Sequence, residues 1–455
     1  MPRIVLLIAV LWPFARTAAA QESTPWRPEL LGAQFTAIGQ RLAPLHSPYA
    51  GRNSLRAGGD AALTHTYGLY GGMALSRTMA AYLDVEMARG SGVSDATGLA
   101  GVTNGDVIRQ GAVGLSRWPV MARAFLRWTL PLSSELAFAE RGMDQLPGDV
   151  PASRLEISAG RLAASDLFDV NRYANNTRTQ FLNWVLINNG AWDYAADTRG
   201  YSIGASVAWI TPRAAVRLGS FMMPRRANGP DLDGDVGRAR GDNIEITLFP
   251  GSAGTVLRFL AYLNHARMGS YAEAIAATQP TFGAGAGGTT VIVPPPYLVP
   301  DIVADDRPGR FKYGFGLNVE QPIADSGETG AFLRAGWNDG RTESFAFTEV
   351  DAGFSVGLQV CGARWGRAGD RLGFAVAVDY LSRPHRDYLA AAGVGFLLGD
   401  GQLSYGAERV LEAYYRLQLG RFVQAGPDFQ YVRNPGYNRD RGPASVFSLR
   451  VRAAY

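Results

Sequence analysis

The chain has 455 residues, 55 of them glycine, with 21 phenylalanines and 19 tyrosines against a mean hydropathy near zero. One cysteine, Cys361, excludes an intrachain disulfide framework, and a formal charge of +4 without basic runs argues against a nucleic-acid partner. Lys312 is the only lysine, so almost every cation is an arginine, whose planar fork suits hydroxyls and carboxylates.

At the N-terminus, Arg3 precedes the apolar run Ile4 to Ala15, which is too short to span a bilayer as a helix, and Ala18 and Ala20 stand in a small-x-small arrangement. This predicts a signal peptide over 1–20, cleaved between Ala20 and Gln21, and an exported chain. Loss of Arg3 and Arg16 takes the charge from +4 to about +2. No later stretch is apolar enough for a transmembrane helix, so any crossing of a membrane must use strands.

From there to the C-terminus, period-two alternation recurs. In TMAAYLDVEMA, Met79, Ala81, Leu83, Val85 and Met87 oppose Tyr82, Asp84 and Glu86. ARAFLRWTL sets Leu126 and Trp128 against Arg123 and Arg127, and TVLRFLAYLN sets Leu257 and Phe259 against Arg258. FKYGFGLNVEQ opposes Phe311, Tyr313, Phe315 and Leu317 to Lys312, Asn318 and Glu320. The polar rows elsewhere add Glu156, Arg217, Arg334, Glu412 and Arg416, and the last ten residues place Arg450 and Arg452 opposite Phe447, Leu449, Val451 and Tyr455.

Sixteen strands are predicted, at about 33–42, 61–74, 78–88, 122–132, 154–162, 201–210, 213–222, 243–249, 255–265, 311–322, 329–338, 351–361, 371–381, 409–419, 422–432 and 445–455. A soluble sandwich would bury the apolar row, whereas a membrane barrel would turn it to lipid. The connections decide. Those after even-numbered strands, such as Ser76-Arg77, Thr211-Pro212 and Gly420-Arg421, are short; those after odd-numbered ones, such as Arg89 to Met121, Ala163 to Gly200 and Ala266 to Arg310, are long. Short periplasmic turns with long outer loops belong to an all-β transmembrane antiparallel barrel. One inner connection, Ser133 to Ser153, is long and breaks the rule. No domain boundary is visible after Gln21, and Phe282 to Pro300, rich in glycine and proline, reads as mobile outer loop.

Several runs then carry a family likeness: AGRNSLR (Ala50 to Arg56), NRYANNTRTQFLNW (Asn171 to Trp184), NNGAWDYAADTRGY (Asn188 to Tyr201), KYGFGLN (Lys312 to Asn318), GWNDGRTESFAFTE (Gly336 to Glu349) and NPGYNRDRGP (Asn434 to Pro443). Together the chain resembles the carbohydrate-selective porins of the OprB type. The resemblance implies a sixteen-stranded outer-membrane barrel that passes glucose-like sugars by passive diffusion. The 282–300 insert is not part of the resembling pattern.

A pore selective for sugars needs rings that stack on the apolar face of a pyranose and planar donors for its hydroxyls, held weakly enough for release. The loop Ala163 to Gly200 is the densest source: Arg172, Tyr173, Arg178, Trp184, Trp192, Asp193 and Tyr194 are the candidate constriction residues. It is expected to fold into the lumen; the alternative packs it over the mouth with its asparagines forming turns. The wall candidates are Asp84, Glu86, Arg123, Arg127, Glu156, Arg217, Arg258, Glu320, Arg334, Glu412 and Arg416, which individually serve best as mutual ion pairs and collectively suit a neutral solute. The four histidines, His46, His65, His265 and His385, fall in no catalytic motif, so neither catalytic residues nor a metal or other cofactor is expected. A general small-solute porin and, less favoured, a barrel enzyme are the alternatives. Expected partners are mono- or small oligosaccharides, outer-membrane lipid and lipopolysaccharide, and the barrel-assembly machinery through the terminal aromatic Tyr455.

Overall fold

A computed structural model describes residues 30–106, 118–251, 253–284, 290–304 and 306–455. The expected signal peptide lies outside them. In the described residues, β1 (Leu30–Leu42), β2 (Asp60–Ala74), β3 (Met79–Gly90), β4 (Val120–Pro131), β5 (Arg154–Leu162), β6 (Ser202–Ile210), β7 (Ala214–Met222) and β8 (Arg240–Leu248) form the first half of a barrel. The second half is β9 (Val256–Met268), β10 (Arg307–Ala324), β11 (Thr329–Asn338), β12 (Ala352–Cys361), β13 (Arg371–Tyr380), β14 (Glu408–Leu419), β15 (Val423–Arg433) and β16 (Ala444–Ala454). Neighbours in sequence are antiparallel neighbours in space, and β1 closes on β16 from Gln34 opposite Ala454 to Leu42 opposite Val446. No described helix is long and apolar enough to cross a membrane.

Alternation sorts the side chains as the sequence predicts. Phe447 and Leu449 are more than half exposed on the outer surface, while Ser448 and Arg450 between and beside them are buried within. On β10, Phe311, Tyr313 and Phe315 face out, whereas Lys312, Asn318 and Glu320 are buried inside. The register makes rows coincide across strands: Leu317 lies between Phe259 of β9 and Ala335 of β11, all on the outer face. Cys361 is buried at the end of β12 as a free thiol.

Two connections depart from the expectations. The long inner one contains its own hairpin, Leu136–Ala139 paired with Gly148–Pro151. Within the expected mobile insert, Thr281–Ala284 pairs with Thr290–Val293, so part of it is ordered as strand; residues 285–289 lie outside the described ones.

If lipid bathes the outer row, Leu317→Arg near the middle of β10 costs about 2–4 kcal/mol of barrel stability, as for an arginine at the bilayer midplane. Gln424→Glu, which faces the lumen on β15 among Arg416, Arg450 and Arg452, is mild. Urea titration of bilayer-inserted protein checks the difference, and equal losses at the two sites contradict the register.

Candidate functional site

The segment between β5 and β6 enters the barrel and crosses its full height. The Tyr173 hydroxyl donates to the Gly327 carbonyl at 2.9 Å and Arg172 pairs with Glu328 at 2.9 Å, both in the short turn joining β10 to β11. The chain then climbs back, and α1 (Trp184–Ile187) forms with Asn183 as its cap, its side chain accepting from the Val185 N–H. Asp197, paired with Arg161 at 2.7 Å, returns it to the outer end of the wall.

A loop inside a lumen has no sheet neighbours, so its backbone groups must find other partners. They find the inward side chains. Arg450 donates to the Thr177 and Gln180 carbonyls at 2.6 Å each, and Glu412 accepts from the Leu182 and Asn183 N–H groups. Arg334 donates to the carbonyls of Asp169 and Leu186 at 2.9 Å and pairs with the Asp169 carboxylate at 3.0 Å. Close approach requires glycine at two wall positions: a Cβ at Gly336 would stand 1.9 Å from Asn189 Oδ1, and one at Gly330 would stand 2.2 Å from the Tyr173 ring.

Both readings of the loop therefore hold in part. It occupies the lumen, and its asparagines also form turns: Asn171, Asn176 and Asn189 accept from the N–H two residues on. Of the candidate constriction residues, Arg178, Trp184 and Tyr194 border an open cavity of about 260 Å³. The others do not. Trp192 is only 2% exposed and donates to Asn243 of β8, and Asp193 is tied to Lys312 at 3.1 Å and to the Phe345 and Ala346 N–H groups. Tyr173 and Arg172 serve the inner turn. Trp192 and Tyr173 thus fail as stacking platforms because the loop buries their rings against the wall, and Tyr194, only 1% exposed and packed between Trp192 and Phe347, offers no open ring face either.

The wall candidates all point inward, and most are paired. Arg258 lies 2.5 Å from Glu320, Arg217 lies 3.5 Å from Glu156, and Arg123 lies 3.2 Å from Asp84. Arg127 donates to the Asp144 carbonyl at 2.8 Å, and Arg416 reaches the Thr179 carbonyl at 3.5 Å. Only Glu86 and Arg123 among them border the cavity. Glu86 binds Arg178 at 2.9 Å and accepts from the Tyr201 hydroxyl at 2.5 Å, while Asp106 holds Arg178 from the other side at 2.6 Å. Sequence reasoning missed Asp106 and Tyr201, which sit in a loop and at a strand start where no alternation marks them. Five buried polar atoms of cavity-lining residues, Asn175 Oδ1, Asn188 Nδ2, Tyr194 Oη, Thr198 Oγ1 and Arg452 Nε, have no hydrogen-bond partner among the described residues. Unpaired polar atoms of this kind are costly unless water or a solute reaches them.

Above the cavity, outer loops meet at His385 on α2 (Arg383–Ala390), in the β13–β14 connection. Its Nδ1 is 3.0 Å from Asp351 and its Nε2 is 3.3 Å from Glu349, both of the β11–β12 connection. The ring stacks at 4.2 Å on Tyr271 of the β9–β10 connection. Burial alone would push this imidazole down, but the two carboxylates outweigh it and raise its pKa to about 9.

The family model described as the carbohydrate-selective porin, OprB family, matches residues 53–455. Among solved structures, the high-pH form of Pseudomonas putida OprB is similar at 16% identity over 94% of each chain, with a TM-score of 0.66. Looser likenesses include the low-pH form of the same protein, at 12% identity over 94% of this chain and 93% of that one with a TM-score of 0.45. Another is Salmonella typhi OmpF in complex with daunomycin, at 8% identity over 93% and 97% with a TM-score of 0.48. A comparison with curated proteins finds no match.

Replacing Arg334 by methionine strands the buried Asp169 carboxylate, and losing one partner of such a pair costs about 3–5 kcal/mol. Increased protease cleavage within 163–200 in the folded barrel, together with lower urea stability, is the expected outcome. The His385 clamp has a definite pH sign. Because the folded-state pKa is raised, its contribution is complete below the ordinary imidazole range and is lost as pH rises through about 9. Protection against hydrogen exchange in the three outer connections, taken relative to the base-catalysed intrinsic rate at each pH, should therefore fall between pH 8 and pH 10 in the native protein (roughly one unit either side of that midpoint). In His385→Gln the step should be absent.

Proposed function

The chain belongs to the carbohydrate-selective porins of the OprB family, and from that membership we propose how it selects its solute. It is a sugar channel of the outer membrane, crossing the bilayer by sixteen strands. The reading advanced here is that the sugar is a glucose-like pyranose and that it passes through the cavity beside the inward loop. What carries this is the cavity's own chemistry: the Trp184 ring, the Arg178 guanidinium held between Glu86 and Asp106, and five unpartnered polar atoms, the Tyr194 hydroxyl among them, all lining one space of about 260 Å³.

A pyranose has an apolar C–H face and an equatorial rim of hydroxyls. The Trp184 ring supplies the first contact, and the fixed guanidinium and amides supply the second. Each is worth roughly 1 kcal/mol, enough for several-fold discrimination without trapping the solute. Arg178 and Arg123 are matched by carboxylates, while Arg199 and Arg452 on the same lining form no ion pair among the described residues, so the cavity carries both charge signs and suits a neutral, hydroxyl-rich solute. The remaining wall charges are assigned to holding the loop. Transport is by diffusion without chemistry: His385, the histidine with two carboxylate partners, is spent in the outer clamp. The exposed aliphatic belt takes outer-membrane lipid with lipopolysaccharide above it, export uses the cleaved leader, and assembly is engaged through Tyr455, whose ring lies 5.6 Å from Phe422.

Trp184→Ala should weaken the block of single-channel ion current by glucose while leaving conductance equal or higher. Arg178→Gln, which frees two carboxylates beside the cavity, should shift ion preference toward cations. Unchanged block together with unchanged conductance and ion preference would remove the cavity from the sugar's path.

A further inference from the structure

The long connection between β4 and β5 does more than cap the periplasmic end. Beyond its two-stranded stem, the chain makes a tight turn in which the Gly142 N–H donates to the Gln145 carbonyl at 3.0 Å and the two residues form an isolated bridge. The tip of that turn, Met143 and Asp144, is held by side chains that project into the lumen. Arg127 of β4 donates to the Asp144 carbonyl at 2.8 Å and to the Gln145 side chain at 3.0 Å. The Leu146 N–H donates to the Tyr82 hydroxyl of β3 at 3.3 Å. The Asp144 carboxylate lies 3.1 Å from Arg123. A turn gripped by inward residues of two wall strands lies within the barrel, and Met143 borders the same cavity as Trp184 and Arg178.

Arg123 makes the arrangement specific. Its guanidinium is shared by Asp84 of the wall at 3.2 Å, Asp144 of the periplasmic turn at 3.1 Å and Asp166 of the inward outer loop at 2.7 Å. The segment that narrows the lumen from outside and the one that enters from the periplasm are thereby fastened to a single cation. A simple strut would need neither a buried acid at its tip nor a half-buried methionine bordering the cavity. Buried carboxylates next to one another are tolerated where a cation or a proton is shared among them, and here Arg123 supplies the cation.

We propose that the periplasmic turn 140–147 is a second constriction of the channel, with Met143 setting the width of the exit and Asp144 fastening the turn to Arg123. A flexible, unbranched side chain suits this place, since it fills an irregular gap without offering a hydrogen bond that would hold a sugar. The inference rests on the cavity's being the sugar path, and the test separates the two.

In a Cys361→Ser background, Met143→Trp and Met143→Gly are compared in planar bilayers and in liposome-swelling assays with glucose, each first shown to be folded by heat-modifiable gel mobility. The tryptophan should cut conductance and glucose flux severalfold, and the glycine should raise both. Met143→Cys in the same background, treated from the periplasmic side with a cationic thiosulfonate during recording, should lose current stepwise. Wild-type conductance and flux in Met143→Trp, or a cysteine that resists labelling or is labelled without effect on the current, would overturn the proposal. If Trp184→Ala still alters glucose block in that case, the cavity remains the path and only the second constriction falls; if it does not, both readings fall.

Discussion

A backbone N–H or carbonyl in hydrocarbon has no water to turn to, so each must be paired within the protein. Strands meet that condition only when the sheet has no edge, and pairing β1 with β16 removes the last one. Closure then divides every strand into a lipid row and a lumen row. Phe315 can lie open on the outside for the same reason that Lys312 can be fully buried inside.

The same demand acts a second time inside the barrel. The 163–200 segment carries its backbone through the lumen without a sheet partner, and the lumen row answers with Arg450, Glu412 and Arg334. Charges that would read as an ion filter along a bare wall are consumed in this bonding. What remains open is a modest space edged by the Trp184 ring and a guanidinium clamped between acids, a surface suited to a neutral, hydroxyl-rich solute.

Order in the lumen depends on a few shared cations. Arg123 fastens segments from opposite ends of the barrel to one wall strand, and Lys312 ties Asp193 of the inward loop to β10. At the mouth, His385 joins two connections through Asp351 and Glu349 and stacks against a third. Each junction places an ionisable group where water is scarce, so its partners decide whether the structure holds.

The alternation of VFSLRVRAAY and FKYGFGLNVEQ, with the lengths of the connections, was enough to determine the barrel, its strand count and which side chains meet lipid, because a strand's two-residue period is local. All sixteen expected strands fall on observed ones. The inward-facing charges were legible for the same reason. The pore residues were not. Trp184 and Trp192 are eight positions apart in one loop and equally good as stacking rings by sequence, yet one borders the cavity and the other is sealed against Asn243. Asp106, Tyr201 and Met143 come to the cavity from three separate connections, one of them the long inner turn that looked like an irregularity. Only the tertiary structure decided these, because a loop's path is set by which distant groups pair with its backbone, and such pairing has no period along the chain.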